Sequence, residues 1–173
     1  MTTRGEYLGM PLAIDDVDDI QREYFAACAE GDYRLQSCQE CKLLRYPPTT
    51  ACPFCSHPDA TWESVEPRGV VHSYGEVHHA ILPAFREHVP YQILLVELDT
   101  QSGQPEEHDG LRVIGNLVNP DGSFASAELV GRVGIGSRVR MVFCDAGGDM
   151  AIPNWTLDEN AEPSSQPWRY PQE

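Results

Sequence analysis

Cys38-Gln-Glu-Cys41 and Cys52-Pro-Phe-Cys55, with ten residues between them, constrain this chain more than any other feature. Each Cys-x-x-Cys pair sets two thiolates on one tight turn, and two such turns close around a single ion from opposite sides. An all-sulfur, four-coordinate set suits Zn²⁺, and iron fits the same Cys₄ site. Four protein ligands leave no position for water or substrate, so the pattern predicts a structural metal rather than a catalytic one. The segment from Tyr33 to Trp62 is too short to bury an adequate core of its own. The metal is therefore expected to supply much of its folding free energy.

At 173 residues the chain holds one domain or two small ones. No apolar run approaches the length of a membrane span. Twelve Lys and Arg against 27 Asp and Glu give a formal charge of −15, which argues against nucleic acid and anionic membranes as partners. The start, Met1-Thr-Thr-Arg-Gly-Glu6, lacks the pattern of a secretory signal. Together with a thiolate site this leads to the expectation of a reducing, cytoplasmic setting. The two isolated cysteines, Cys28 and Cys144, read as small buried hydrophobes rather than nucleophiles.

Residues 1–14 carry little periodic signal and are expected to form a loose or docked arm. From Asp15 to Gly31, Val17, Ile20, Tyr24 and Cys28 recur at helical steps, with aspartates at the N-terminal end and a glycine to close. Beyond Gly69 the pattern turns to strands. Val70–Val77 is read with His72 and Tyr74 on the face opposite Val71 and Val77, and Tyr91–Leu98 as a central strand. Thr100–Gly110 reads as an exposed hairpin loop, Leu111–Val118 as a strand, Asn119–Gly122 as a turn and Ser126–Val130 as a helical turn. In Arg138–Cys144, Val139, Met141 and Phe143 face one way and Arg138 and Arg140 the other. Four or five strands in this stretch predict a small closed or partly closed barrel. The tail from Pro153 is rich in Pro and polar residues and is expected to lack its own fold. Its aromatics, Trp155, Trp168 and Tyr170, suit either docking or packing back on the chain.

An enzyme reading centres on His78-His79, with His72 and His88 nearby in sequence. No Ser, Cys or carboxylate stands in a catalytic motif with them, and adjacent histidines on a strand point to opposite faces. No catalytic residue is assigned. The loop Ile81–His88 offers Leu82 and Phe85 as apolar contacts, or as a plug for the barrel mouth. Arg138 and Arg140 share a strand face and suit a phosphate, although a solvated face is the plainer reading.

The order of features is specific. A helix ending in Glu30-Gly31-Asp-Tyr33 is followed by the first hook, Tyr46-Pro-Pro48, the second hook and Trp62. Then come Gly69-Val-Val-His-Ser-Tyr74, Pro90-Tyr91, Val96-Glu-Leu98, Gly115-Asn-Leu117 and Ile135-Gly-x-x-Val-Arg140. From Tyr24 to Cys144 this resembles the DUF35 family, proteins built from a rubredoxin-like zinc ribbon and an OB-fold. The family pattern has glycine after each hook, where this chain has Lys42 and Ser56. The resemblance implies a mainly β chain with a zinc ribbon at 33–64 and a five-stranded OB-fold barrel at 65–152; the residues themselves add an arm and helix at 1–32 and a Pro/aromatic tail at 153–173. It also implies a non-catalytic subunit that binds a thiolase-like enzyme in a hetero-oligomer. That partner would be a thiolase or aldolase acting on acyl-CoA in lipid, steroid or aromatic degradation, and the subunit would support assembly and acyl-CoA access. Leu82, Phe85, Arg86, Arg138, Arg140, Trp155 and Trp168 are the candidate contacts to partner or CoA. The alternatives are a stand-alone acyl-CoA-binding module and an OB-fold nucleic-acid binder, the latter opposed by the charge.

Overall fold

The structure, a computed structural model, describes residues 2–15, 18–162 and 167–171. Val17 of the expected helical stripe, and 163–166 and 172–173 of the expected tail, lie outside the described residues. The chain divides into two compact units, one of Met1–Glu66, Thr100–Leu111 and Phe143–Ile152, the other of Pro67–Asp99, Arg112–Val142 and Pro153–Glu173.

The first unit opens with a β-hairpin, β1 (Thr3–Tyr7) and β2 (Met10–Ile14), paired from Thr3↔Ile14 to Tyr7↔Met10. It reverses at Leu8 and Gly9, both at positive φ (53° and 77°), as a two-residue hairpin turn requires. The arm, expected to be loose or docked, is therefore a strand pair. Its inward positions on β1 are Thr3, Gly5 and Tyr7, too weakly apolar to announce a strand. What holds it is close backbone approach: the hairpin passes the 146–148 segment with no room for a side chain on Gly5 or Gly148.

Helix α1 (Asp19–Ala29) starts four residues later than its periodicity suggests, because the Asp18 carboxylate caps it by accepting from the Gln21 amide at 3.0 Å. It buries Tyr24, Ala27 and Cys28. Tyr24 donates to the Tyr33 hydroxyl at 3.3 Å, and its ring meets those of Tyr33 and Tyr46. The ribbon follows as β3 (Arg34–Cys38), β4 (Leu44–Arg45) and β5 (Ala60–Ser64), in spatial order β4-β3-β5. Residues 100–110, expected as an exposed hairpin loop, supply this small sheet with a further partner. The Gln101 amide oxygen accepts from Leu44 N at 2.6 Å and its amide nitrogen donates to Leu44 O at 3.0 Å.

The remaining strands are β6 (Arg68–Val77), β7 (Tyr91–Leu98) and β8 (Arg112–Asn116) of the second unit, with β9 (Arg138–Gly147) and β10 (Met150–Leu157), which belong to that unit up to Val142 and from Pro153. A short helix, α2 (Ala127–Arg132), capped by Ser126, stands between β8 and β9. The five-stranded sheet has the order β10-β9-β6-β7-β8. Its two edges meet where Leu117 bridges Trp155 in parallel and Val118 N donates to Trp155 O at 2.8 Å. Asn116 N also donates to the Asn154 side chain at 2.9 Å. Edge strands joined in this way make the partly open five-stranded barrel of an OB-fold. Leu94, Val96 and Leu98 of β7 fill it with Val71, Val113 and Val139.

Two expectations fail here for physical reasons. Val71 pairs with Val96 but Ser73 with Leu95, so His72 is a bulge and the alternation of β6 slips by one. Tyr74, opposite Leu94, therefore shares the face of Val71, while Val77, opposite Tyr91, takes the other. The second concerns the tail. Residue 153 stands inside β10 rather than at the start of an unstructured segment, and Trp155 is 0% exposed. Further on, Trp168 and Ile135 exchange two backbone bonds (2.9 and 3.0 Å), and Tyr170 N donates to the Tyr74 hydroxyl at 2.9 Å. The described part of the tail thus packs back on its own chain. Among the described residues no helix is long and apolar enough to cross a membrane.

The barrel closure is tight at Gly115, where a Cβ would stand 2.9 Å from Trp155 Cδ1 and 3.1 Å from its Nε1. Gly115→Ala is expected to cost about 1–3 kcal/mol, read as a lower denaturant midpoint with an unchanged slope.

Candidate metal centre

Both hooks fold the same way. Cys38 N donates to Leu43 O at 3.0 Å and Lys42 N to Cys38 O at 3.0 Å. In the second hook Cys52 N donates to His57 O at 2.9 Å and Ser56 N to Cys52 O at 2.8 Å. Each turn leaves its second cysteine through a left-handed residue, Lys42 at φ 63° and Ser56 at φ 65°. These are the two places where the resemblance puts glycine, and a side chain there costs on the order of 1 kcal/mol.

The four Sγ atoms lie within 4.8 Å of one another, with Cys38–Cys55 at 3.5 Å and Cys41–Cys52 at 3.6 Å. A tetrahedron with metal–sulfur bonds of about 2.3 Å has sulfur–sulfur edges of about 3.8 Å. Both close edges lie near that value and no edge exceeds it by more than about 1 Å, so the four cysteines can hold a metal. The electrostatics agree. The backbone amide of Cys41, helped by that of Glu40, draws the Cys38 thiol down to about 6. Burial opposes ionisation of Cys52, but the amides of Cys55 and Phe54 bring it below the usual thiol range. Cys41 gains from the Leu43 amide, yet burial and the neighbouring sulfurs push it up to about 12. In each close sulfur pair one thiol is drawn down and the other pushed up, and four thiolates together require a cation. Cys38 and Cys52 are buried while Cys55 is exposed, so one side of the cage faces solvent.

The isolated thiols behave as expected of small hydrophobes. Cys28 is fully buried and burial pushes it up to about 12, and Cys144 is buried on β9.

The other candidate residues are scattered. Leu82 is 51% exposed, and Ile81, which the sequence did not single out, is 83% exposed. Both precede a 3₁₀ turn, Pro83–His88. Phe85 points back into an aromatic cluster, 5.5 Å from the Tyr91 ring and 5.8 Å from that of Phe124, on which His88 stacks at 4.3 Å. Phe85 therefore anchors the loop, while Ile81, Leu82 and Arg86 stand out from it. The paired-arginine phosphate site does not assemble. Both terminal nitrogens of Arg138 donate to the Asp99 carboxylate at 2.5 Å, which holds Asp99 below the usual carboxylate range. Arg140 faces Arg68 across the β6–β9 ladder. Trp155 cannot contact a partner, being enclosed by the barrel closure, whereas Trp168 is exposed beside Tyr170 at 4.7 Å between rings. The histidines have separate neighbours: Glu76 Oε1 lies 2.8 Å from His78 Nε2, and Glu97 Oε2 lies 3.9 Å from His72 Nδ1. A cleft of about 520 Å³ between α2 and the end of β10 is lined by Arg132, Arg138 and Arg169 but also by Asp158, Glu159 and Glu162, so its charges balance.

A Cys₄ ribbon and a five-stranded OB barrel define the class. Residues 62–144 match the family described as the ChsH2 C-terminal OB-fold domain. Over 134 residues, 75% of this chain, the sequence is 33% identical to a probable enoyl-CoA hydratase alpha subunit of Thermomonospora curvata. The chain spans only 35% of that relative's length. A chain of the solved Ltp2–ChsH2(DUF35) aldolase superposes with a TM-score of 0.61 at 27% identity, covering 83% of this chain and 98% of that one. The chain belongs to the DUF35 family and carries its OB-fold.

Cys41→Ser is expected to abolish metal binding and unfold the ribbon while the barrel keeps its β-sheet circular dichroism, with metal content measured in parallel. Lys42→Gly and Ser56→Gly should each raise stability by about 0.5–1 kcal/mol, read as a higher melting temperature of the metal-loaded chain.

Proposed function

We propose that this chain is a non-catalytic subunit of an acyl-CoA enzyme, bound to a thiolase-like partner that carries out aldol or thiolytic cleavage in lipid, steroid or aromatic degradation. The observation that carries this reading is the match to 98% of a chain in the Ltp2–ChsH2(DUF35) aldolase, a likeness that takes in nearly all of that component. The hydratase-subunit name of the curated relative points to the same acyl-CoA chemistry. The reading is also consistent with this chain's own groups. The four sulfurs of the cage fill a tetrahedral site, and His72 and His78 lie against the carboxylates of Glu97 and Glu76. Zinc is the metal we assign to Cys38, Cys41, Cys52 and Cys55, with the reducing cytoplasm as the compartment that keeps the thiolates available. Acyl-CoA access is supported from the assembled complex rather than by a phosphate site on this chain, since Arg138 is already spoken for by Asp99.

Ile81 and Leu82 are the contact residues of choice. They are exposed aliphatics held out by a loop whose base is pinned through Phe85, Tyr91 and Phe124, so little ordering entropy is lost when they dock. Co-purification of the native chain with mass spectrometry tests the proposal. Recovery of a thiolase-like protein is the expected result, and recovery of the chain alone would overturn it. The double substitution Ile81→Asp, Leu82→Asp should reduce that recovery at least tenfold with no change in melting temperature.

A further inference from the structure

Arg45, on β4, is 2% exposed, and its Nη1 atom has no hydrogen-bond partner. Its Nε donates to Gln36 Oε1 at 2.9 Å, an oxygen that also accepts from the Thr49 amide. None of the arginine–carboxylate pairs among the described residues includes Arg45. A guanidinium keeps its proton in proteins, so a full positive charge is enclosed here. Enclosing a charge is costly unless an opposite charge stands near.

We propose that the opposite charge is the metal–thiolate centre, and that Arg45 is the built-in counter-ion of the cage. This rests on the metal reading above. Four thiolates around one divalent ion carry a formal charge of −2, and the ribbon offers no other enclosed cation to balance it. The register supplies the proximity. Gln36 faces Arg45 directly in the β3–β4 pair, and their hydrogen bond puts both side chains on one face. Cys38 is two residues further along β3, on that same face and about 7 Å along the strand. The ribbon's other basic side chains do not serve: Lys42 is exposed, and Arg34 is engaged with Asp32 and Glu30. Arg45 is a positioning residue for charge. It lowers the cost of gathering four thiolates, and with iron in the cage it favours the ferrous state, which carries one more negative charge than the ferric.

The test uses the full chain and three proteins: wild type, Arg45→Met, which keeps the aliphatic stem, and Arg45→Lys, which keeps the charge. Zinc affinity is measured by chelator competition. Arg45→Met is expected to weaken it about 10-fold or more, and Arg45→Lys to recover most of the loss. In the iron-loaded chain Arg45→Met should lower the Fe³⁺/Fe²⁺ potential by the equivalent of a tenfold shift, about 59 mV. Loss of packing alone would lower melting temperature without moving that potential. An Arg45→Met chain with wild-type affinity and potential overturns the proposal and leaves the metal reading standing. A wild-type chain that takes up neither metal ends both. Should Arg45→Met give no folded chain, Arg45→Lys decides: near-wild-type affinity and potential support the counter-ion, and loss of both overturns it.

Discussion

The sulfur cage is the interaction on which the first unit depends. Its ribbon has three strands, one of them only two residues long, and so few ladder bonds that the hooks must hold the turns in place. Both hooks accept a left-handed residue at their exit and surround each first cysteine with backbone amides, so the backbone is arranged for thiolates before any metal binds. The same strand that ends in Cys38 begins next to Tyr33, whose ring lies among those of Tyr24 and Phe143. The sulfur cage at one end of β3 and aromatic packing at the other therefore act on one element, and loss of either weakens the hold of both.

Much of this was legible in the amino-acid sequence, because its signals are local. Paired Cys-x-x-Cys turns need only their own spacing, and the alternation of β7 follows from residues that neighbour one another in the chain. The features that escaped are those decided by distant partners. Hairpin β1–β2 carries a glycine where a core residue would be looked for, because another stretch of backbone takes up that space. Trp155 sits in a Pro-containing, polar stretch that reads as tail, yet a strand forms there because the barrel has an edge to close and a glycine at 115 leaves room for the indole. The bulge at His72 leaves no mark in composition and still exchanges the faces of Tyr74 and Val77.

The candidate contacts divide along the same line. The four cysteines of the cage were readable because a sulfur site needs its thiols at fixed intervals. The arginines were not, because the state of a guanidinium depends on which carboxylate reaches it, and Asp99, 39 residues from Arg138, does so with both oxygens. Phe85 and Leu82 looked alike in sequence, yet one is an anchor and the other a surface residue. The difference lies with Phe124, which comes from another connection altogether. The exposed pair Ile81 and Leu82 thus owes its orientation to residues that would never be singled out as functional.

Gln101 lies along the edge of the ribbon at Leu44. Its side-chain amide offers Leu44 one acceptor and one donor, in the places where a neighbouring strand would offer a carbonyl and an N–H. A side chain stands in for the missing strand, and it does so with a group whose two ends differ by a single atom type. Hydrolysis of that amide to a carboxylate would leave the Leu44 carbonyl facing oxygen instead of nitrogen. The edge of the ribbon next to Arg45 is thereby tied to the slow chemical ageing of one glutamine.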